Sequence, residues 1–538
     1  MYVSRTSVWS RTSKTLVVAL GLTVLGCPGD DDGEEGPPVD VTLSGKVTYD
    51  FVPASYSPAT RSGTLGFGQT TVKPVRDVTI QVLGKNNTVL GKATTDSSGR
   101  YELKYTAGEG ANVTLAALAK TTTPSIQVED NTSNNAIWAV STSLKVKAGA
   151  VSQDLHAGHG WTGSGYNANM RAAAPFAILD SMYTASQAFL AVRPVPFPPL
   201  KVNWSPKNAP ERGQPASGQI GTSHFSPSEN EIYVLGMAGV DTDEFDSHVI
   251  VHEWGHFFEA NLSRSDNPGG SHSSGDLLDP RIAFGEGYGN ALSAILLPTS
   301  VYVDTLWNRG SLVAFGFDME SAPVPTDDTN PGVFSEFSVM RFLYDLHDGT
   351  TVTESTYDQV TLNLGVLYDV LVGPQKTTAG VTTIGSFIHG LKAQPGVNAS
   401  AVDTLAAHYR IGSIRSTWGD GDSDLVSMYT QLSGLPFSTS GTLQSGAAHN
   451  RRSQNRYYVF TGTGGLVKVT ASSVDDVGIL ALQNGTKVGD KDDTVTGEES
   501  FSFPSQAGKT YVVVLTGYRL SDDDAPESYN FNLSITST

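Results

Sequence analysis

The stretch Val249-Ile250-Val251-His252-Glu253-Trp254-Gly255-His256-Phe257-Phe258 constrains this chain more than any other. Its apolar residues recur at helical spacing. His252 and His256, four residues apart, share one face only if the segment is an α-helix. On such a helix both imidazoles can reach a single Zn²⁺ at about 2.0–2.1 Å, and Glu253 sits beside the ion where it can take a proton from water. The segment therefore predicts a helix beginning near Asp246, with Asp246 and Ser247 as caps, whose purpose is metal-assisted hydrolysis.

The rest of the chain must house that helix. At 538 residues and 39% hydrophobic it is long enough for several domains, each with its own core. The 56 glycines and 27 prolines point to much β structure and many turns. A formal charge of −19 and the lack of Lys/Arg clusters exclude nucleic acid as a partner.

Residues 1–27 read as an export signal, in which Arg5, Arg11 and Lys14 precede an apolar run over 16–25 that is too short to span a bilayer. Val24-Leu25-Gly26-Cys27 resembles the lipobox of bacterial lipoproteins, which implies lipidation of Cys27 and a membrane anchor. Cys27 is also the only cysteine, so no disulfide staples the exported protein. The acidic, Gly- and Pro-rich residues 28–39 read as a disordered linker. Pro28 and Gly29 offer no inner-membrane retention signal of the Asp type, so the expected location is the outer membrane or cell surface of a bacterium.

The expected fold is multidomain: an α+β catalytic domain flanked by two β-sandwiches. Over 40–150, short alternating runs argue for the first sandwich. There Asp96-Ser97-Ser98-Gly99-Arg100-Tyr101 resembles the strand-joining turn of carboxypeptidase regulatory-like, transthyretin-like domains, which implies a module without catalysis of its own. A composition change follows. Residues 172–192 read as a core helix, and strand-like pieces at 200–204 and 231–235 precede the histidine helix, so the catalytic domain is placed at 151–435. Alternation returns over 436–538, a second sandwich. Its runs Asn455-Arg456-Tyr457-Tyr458-Val459-Phe460 and Gly508-Lys509-Thr510-Tyr511-Val512-Val513-Val514 resemble bacterial pre-peptidase C-terminal domains, a family appended to secreted peptidases.

Two histidines need a third protein ligand. The metzincin pattern, with a Gly and then a His shortly after the motif, is absent from the residues following His256. Glu286 opens an apolar, helix-like run, Glu286-Gly287-Tyr288-Gly289-Asn290-Ala291-Leu292, and is the favoured ligand. Asp279 and His272 are its rivals. The pairing of H-E-x-x-H with a downstream glutamate is similar to the gluzincin peptidases, of which thermolysin is the familiar member. That resemblance implies a zincin-like catalytic domain, Zn²⁺ on His252, His256 and Glu286, Glu253 as the catalytic base, and a protein or peptide substrate. It also places Asn290 where that family has an Asp orienting the first zinc histidine.

An oxyanion donor is required as well, and Tyr288, Tyr344, His347 and His389 are all open for that role. Residues 335–348 read as a core helix beside the zinc helices. Asp420, Asp422 and Asp424 have part of the spacing of a Ca²⁺ loop but lack its terminal Glu, and they read chiefly as a solvated turn. His156 and His159 read as linker residues. Against a secreted zinc endopeptidase stands one alternative, a surface adhesin or polysaccharide-binding lipoprotein with a structural or inactive metal site. Glu253 separates the two, because a purely structural zinc needs no unligated carboxylate beside it.

Overall fold

The computed structural model describes residues 16–17, 35–166, 171–320, 328–349, 351, 354–444, 450–518 and 528–538. Cys27, nearly all of the expected export signal and most of the acidic linker lie outside the described residues. The chain is multidomain and rich in sandwich-like sheets, with a smaller number of helices. Its contacts group into two compact units: Met1–Ser186, Pro196–Ile250 and Val303–Gly316 form the first, and Gln187–Val195, Val251–Tyr302 and Phe317–Thr538 the second.

In the first unit, strand Pro38–Phe51 already takes in the end of the expected linker. Its inward residues Val41, Leu43, Val47 and Tyr49 are buried, as period-2 alternation requires. It pairs antiparallel with Arg100–Gly108, which buries Tyr101, Leu103 and Tyr105. The turn leading into that second strand is organised by Asp96, whose Oδ1 accepts from the backbone N–H of Ser98 and Arg100 at 2.8 and 2.9 Å. Gly99 has φ of +77° there, and a Cβ would lie 2.4 Å from the Val47 carbonyl oxygen, so only glycine fits.

Other strands run across the expected boundary at 150/151. Gly149–Ser152 and Leu155–Ala157 add in parallel to Pro38–Phe51. Ile126–Asp130 pairs in parallel with Leu200–Trp204, and that strand pairs in parallel with Glu231–Val234. The strand-like pieces at 200–204 and 231–235 thus extend a sheet begun before residue 150. Backbone hydrogen bonding, which no local composition change reveals, joins what the linear reading divides.

The helices are α1 (Ala173–Leu190), α2 (Ser247–Asn261), α3 (Pro280–Leu296), α4 (Glu336–Asp345), α5 (Leu364–Val370), α6 (Ile384–Lys392) and α7 (Ala399–His408). The carbonyl of Asp246 accepts the first bond of α2, from Ile250. Its carboxylate does not cap the helix. It accepts instead from the N–H and Oγ1 of Thr305 at 2.7 and 2.8 Å. In the second unit α3 is buried on all sides, from Pro280 to Ala294, which marks it as a central core helix. The C-terminal sandwich also belongs to this unit. One sheet starts at Tyr429–Gln431, somewhat before residue 436, and includes Asn455–Thr461 and Thr510–Gly517; the other contains Phe437–Gln444, Leu466–Ser473 and Ser528–Ser537. Val469, Ala471, Ile479, Val513, Phe531 and Leu533 interlock between them.

Asp279 fixes the start of α3. Its side chain accepts from Arg281 N and Nε at 3.0 and 2.9 Å and from the Tyr457 hydroxyl at 2.5 Å, fully out of contact with water. Removing this carboxylate strands a buried guanidinium and an uncapped helix N-terminus. The Asp279→Ala variant is expected to lose about 3–5 kcal/mol of unfolding free energy. Chemical denaturation followed by fluorescence measures this, and an unchanged midpoint would contradict the role assigned to the pair.

Candidate metal centre

Helices α2 and α3 approach closely because glycines face each other. A Cβ on Gly255 would lie 3.4 Å from Gly289 Cα and 3.3 Å from Leu292 Cδ2, and one on Gly289 would lie 2.9 Å from Nδ1 and Cε1 of His252. The His252 ring therefore occupies space that any other residue at 289 would fill. Gly287 serves α4 in the same way: its Cβ would meet the Glu336 carbonyl oxygen and Val339 Cβ, each at 2.8 Å. At Gly285 the obstacle would be Asn267 Nδ2, 2.7 Å away. Three glycines cost α3 about 1 kcal/mol each in helix propensity, and every one of them admits a neighbouring group.

The approach brings three donor atoms together. His252 Nε2 lies 3.0 Å from His256 Nε2 and 3.2 Å from Glu286 Oε2, and His256 Nε2 lies 3.3 Å from the same carboxylate oxygen. Tetrahedral corners around an ion with bonds of about 2.0–2.1 Å are about 3.3–3.4 Å apart. The triangle matches one face of such a tetrahedron. Asn290, one turn after Glu286, accepts at Oδ1 from His252 Nδ1 at 2.8 Å. This bond fixes the tautomer, so the lone pair of Nε2 points at the other two donors. Asn267 Nδ2 donates to the second oxygen of Glu286 at 3.0 Å. The donor set and its supporting bonds fit a zinc ion.

The electrostatics follow from burial and from this crowding. Burial disfavours charge on Glu286, but the surrounding imidazoles, His256 first, outweigh it and hold the carboxyl well below the usual range. Burial likewise opposes charge on His256, yet the Glu286 carboxylate lifts it to about 9. Burial opposes charge on His272 too, but Glu286 and Glu336 raise it to about 11. Glu259, one turn after His256, is pushed up to about 7 by burial.

The sequence-derived candidates separate cleanly in space. His252, His256 and Glu286 form one group with donor atoms all within 4.8 Å of one another. Glu253 is half-buried on α2 between the two histidines in sequence, and its carboxylate helps raise His256. Asp279 is committed to capping α3, as above. His272 Nε2 lies 3.4 Å from Glu286 Oε2 while its Nδ1 lies 2.6 Å from Glu336 Oε2, so it flanks the carboxylate without joining the three-atom group.

The four residues left open as oxyanion donors have separate surroundings. Tyr288, two residues past Glu286 and so on the other side of α3, lies among Phe189, Leu292, Leu343 and Leu371. Tyr344 is held near Glu320 and Asp348, His347 Nδ1 contacts the Leu362 carbonyl at 2.8 Å, and His389 is exposed in the last turn of α6. Asp422 accepts from Ser413 Oγ, and among the described residues Asp420, Asp422 and Asp424 form no metal-holding group. His156 pairs with Asp50 at 3.2 Å.

Asn267 and Glu336 were not singled out from the sequence. Asn267 lies in a Gly- and Ser-rich loop and Glu336 is the first residue of α4 after its N-cap Ser335, where an acidic residue ordinarily serves the helix dipole. No local signal distinguishes either from its commoner use.

No family model matches the chain, and no curated protein matches it. Among solved structures, the pre-peptidase C-terminal domain of a collagenase from Bacillus anthracis is 12% identical, with a TM-score of 0.16, over 20% of this chain and 94% of that one. PliG of Aeromonas hydrophila, a periplasmic inhibitor of g-type lysozyme, is 9% identical with a TM-score of 0.16 over 21% of this chain and 96% of its own. A carbohydrate-binding module, CBM36 in complex with calcium and xylotriose, is 15% identical with a TM-score of 0.13 over 19% and 91%. These are weak likenesses to β-sandwich folds over about a fifth of the chain.

The Gly289 contact gives an outcome opposite to that of an ordinary helix glycine. Replacing a mid-helix glycine by alanine usually gains about 1 kcal/mol. Here the new methyl group would press on the His252 ring, and overpacking of this kind costs about 1–3 kcal/mol. Gly289→Ala is therefore expected to lower the denaturation midpoint of the metal-free protein, and a raised midpoint would contradict the packing.

Proposed function

We propose that this chain is an exported zinc-dependent endopeptidase of the gluzincin kind, with a zincin-like α+β domain carrying the site. The observation that supports it most is the triangle of His252 Nε2, His256 Nε2 and Glu286 Oε2 at tetrahedral spacing, with Asn290 orienting His252. His252, His256 and Glu286 hold the ion. A zinc ion held there supplies Lewis acidity at neutral pH.

Glu253 is the general base. It takes a proton from the attacking water as the water oxygen bonds to the scissile carbonyl carbon, and passes that proton to the amine nitrogen as the C–N bond breaks. The oxyanion formed in between needs a donor, and His272 is the reading favoured for that part. Its Nε2 stands 3.4 Å from Glu286, its Nδ1 is braced by Glu336, and its side chain is 30% exposed, so a substrate can reach it. Asn290 acts through His252 and is a positioning residue. Cys27 as a lipid anchor and the C-terminal sandwich as a secretion or docking module complete the proposal for a protein at the cell surface.

Cleavage of unfolded casein, with and without a zinc chelator, tests the proposal. The purified chain is expected to cut casein and to lose that activity to the chelator. Glu253→Gln should bind zinc normally and lose kcat by roughly 10²–10⁴-fold, whereas His272→Ala should lower kcat by roughly 10²–10³-fold with KM little changed. Zinc bound with no cleavage by any form would favour the adhesin or polysaccharide-binding alternative, and a chain that binds no zinc would end the proposal.

A further inference from the structure

A second group of metal-ligating side chains lies within the first unit, formed by Asp241, Asp243 and Asp304, with one oxygen from each within 4.8 Å of the others. Asp241 pairs with Leu306 in an antiparallel ladder. Asp243 follows directly after this strand, and the Asp304 carboxylate repels those of both Asp241 and Asp243. Water screens like charges poorly once they are buried. Asp243 is 3% exposed and Asp246, fully buried, adds a fourth carboxylate that repels Asp304 and Asp241.

The hydrogen bonding of these groups is incomplete on one side. Ser223 Oγ donates to Asp243 Oδ2, and Thr305 donates twice to Asp246 Oδ2. Oδ1 of Asp241, Asp243 and Asp246 is in each case buried with no hydrogen-bond partner. The guanidinium of Arg171 is engaged by the Glu244 carboxylate and the Gly236 carbonyl. Buried carboxylate oxygens without donors are costly, so they take up either protons or a cation. Burial, with repulsion from Asp304, pushes Asp241 up to about 7, and burial pushes Asp304 up to about 6.

We propose that Asp241, Asp243 and Asp304, with Asp246 beside them, form a Ca²⁺ site. Every donor is a hard oxygen, the set Ca²⁺ takes, whereas zinc takes nitrogen and sulfur readily. Ca²⁺ takes about 6–8 oxygens in flexible geometry, so a cluster of carboxylates can serve it directly. Mg²⁺ dehydrates reluctantly and keeps several waters beside one or two carboxylates, which a buried group of aspartates does not suit. The site shares no residue with the His252, His256 and Glu286 centre, and it stands whether or not that centre binds zinc.

The test uses the full chain, stripped of metal and then kept in buffer saturating in Zn²⁺, and titrates it with CaCl₂. Equilibrium dialysis counts bound Ca²⁺ while thermal unfolding is followed in parallel. The wild type is expected to bind one Ca²⁺ more than Asp243→Asn/Asp304→Asn and to gain on the order of 5 °C in Tm on saturation. The variant should show no such gain. Without calcium it should melt at or above the wild type, because like-charge repulsion has been removed. The single change Asp304→Asn serves if the double variant does not fold. Equal calcium binding by wild type and variant would overturn the site, and so would the same gain in Tm from Mg²⁺ at equal concentration.

Discussion

The close crossing of α2 and α3 is the constraint on which the candidate centre depends. Helices packed through ordinary side chains keep their axes about 8–10 Å apart, and the bulk between them would hold a short carboxylate away from a histidine. Here Gly255 faces Gly289, and the His252 ring fills the place of a missing side chain at 289. With that gap closed, Glu286 and Asn290, one turn apart on α3, both reach His252. The glutamate contacts Nε2 and the asparagine contacts Nδ1. The two contacts act on opposite nitrogens of one ring, so the spacing of α3 sets both the position and the tautomer of the histidine.

The parts of this centre that lie along one helix were legible in the sequence. Helical spacing located α2, and its observed start at Ser247 agrees with a start near Asp246. Glu286 stands out as a carboxylate that opens an apolar run, and Asn290, one turn later, comes from the resemblance to the gluzincin peptidases. Gly287 and Gly289 of the same run are unusual inside a helix by propensity, and small residues there allow two helices to pack closely, but the sequence does not say which neighbours approach. Their value lies in what approaches them, namely Asn267, Val339 and His252, and none of these is a sequence neighbour. Parallel pairing of Ile126–Asp130 with Leu200–Trp204 was hidden for the same reason. Nothing in the run Asp241-Thr242-Asp243-Glu244-Phe245-Asp246 points to Asp304, which only the fold brings within reach of it.

Two clusters of ionisable groups meet the cost of burial by different means. Around Glu286 the imidazoles and the carboxylate compensate one another, and the amides of Asn267 and Asn290 hold the outer positions. Such a site keeps its geometry through its own hydrogen bonds. The second group, Asp241, Asp243 and Asp304, is made of carboxylates alone. Ser223 and Thr305 donate to Oδ2 of Asp243 and Asp246, while Oδ1 of each is buried without a donor. The mixed nitrogen and oxygen set favours a borderline ion such as zinc, whereas the oxygen set favours a hard one.

The C-terminal sandwich, which reads in sequence as an appended module, takes part in the folding of α3. Asp279 caps that helix and accepts from the hydroxyl of Tyr457, which lies on strand Asn455–Thr461 of the sandwich. The backbone just before the helix is tied to the same region: Asp279 N donates to the Asn450 carbonyl at 2.8 Å, and Arg452 N donates to the Leu277 carbonyl at 3.0 Å. The first turn of α3 would otherwise expose Arg281 and unpaired N–H groups to whatever solvent could reach them. Glu286 stands less than two turns from this anchor. The carboxylate that completes the candidate metal centre is therefore held at a fixed height by residues more than 150 positions later in the chain, which makes the sandwich a structural part of the domain that carries the site.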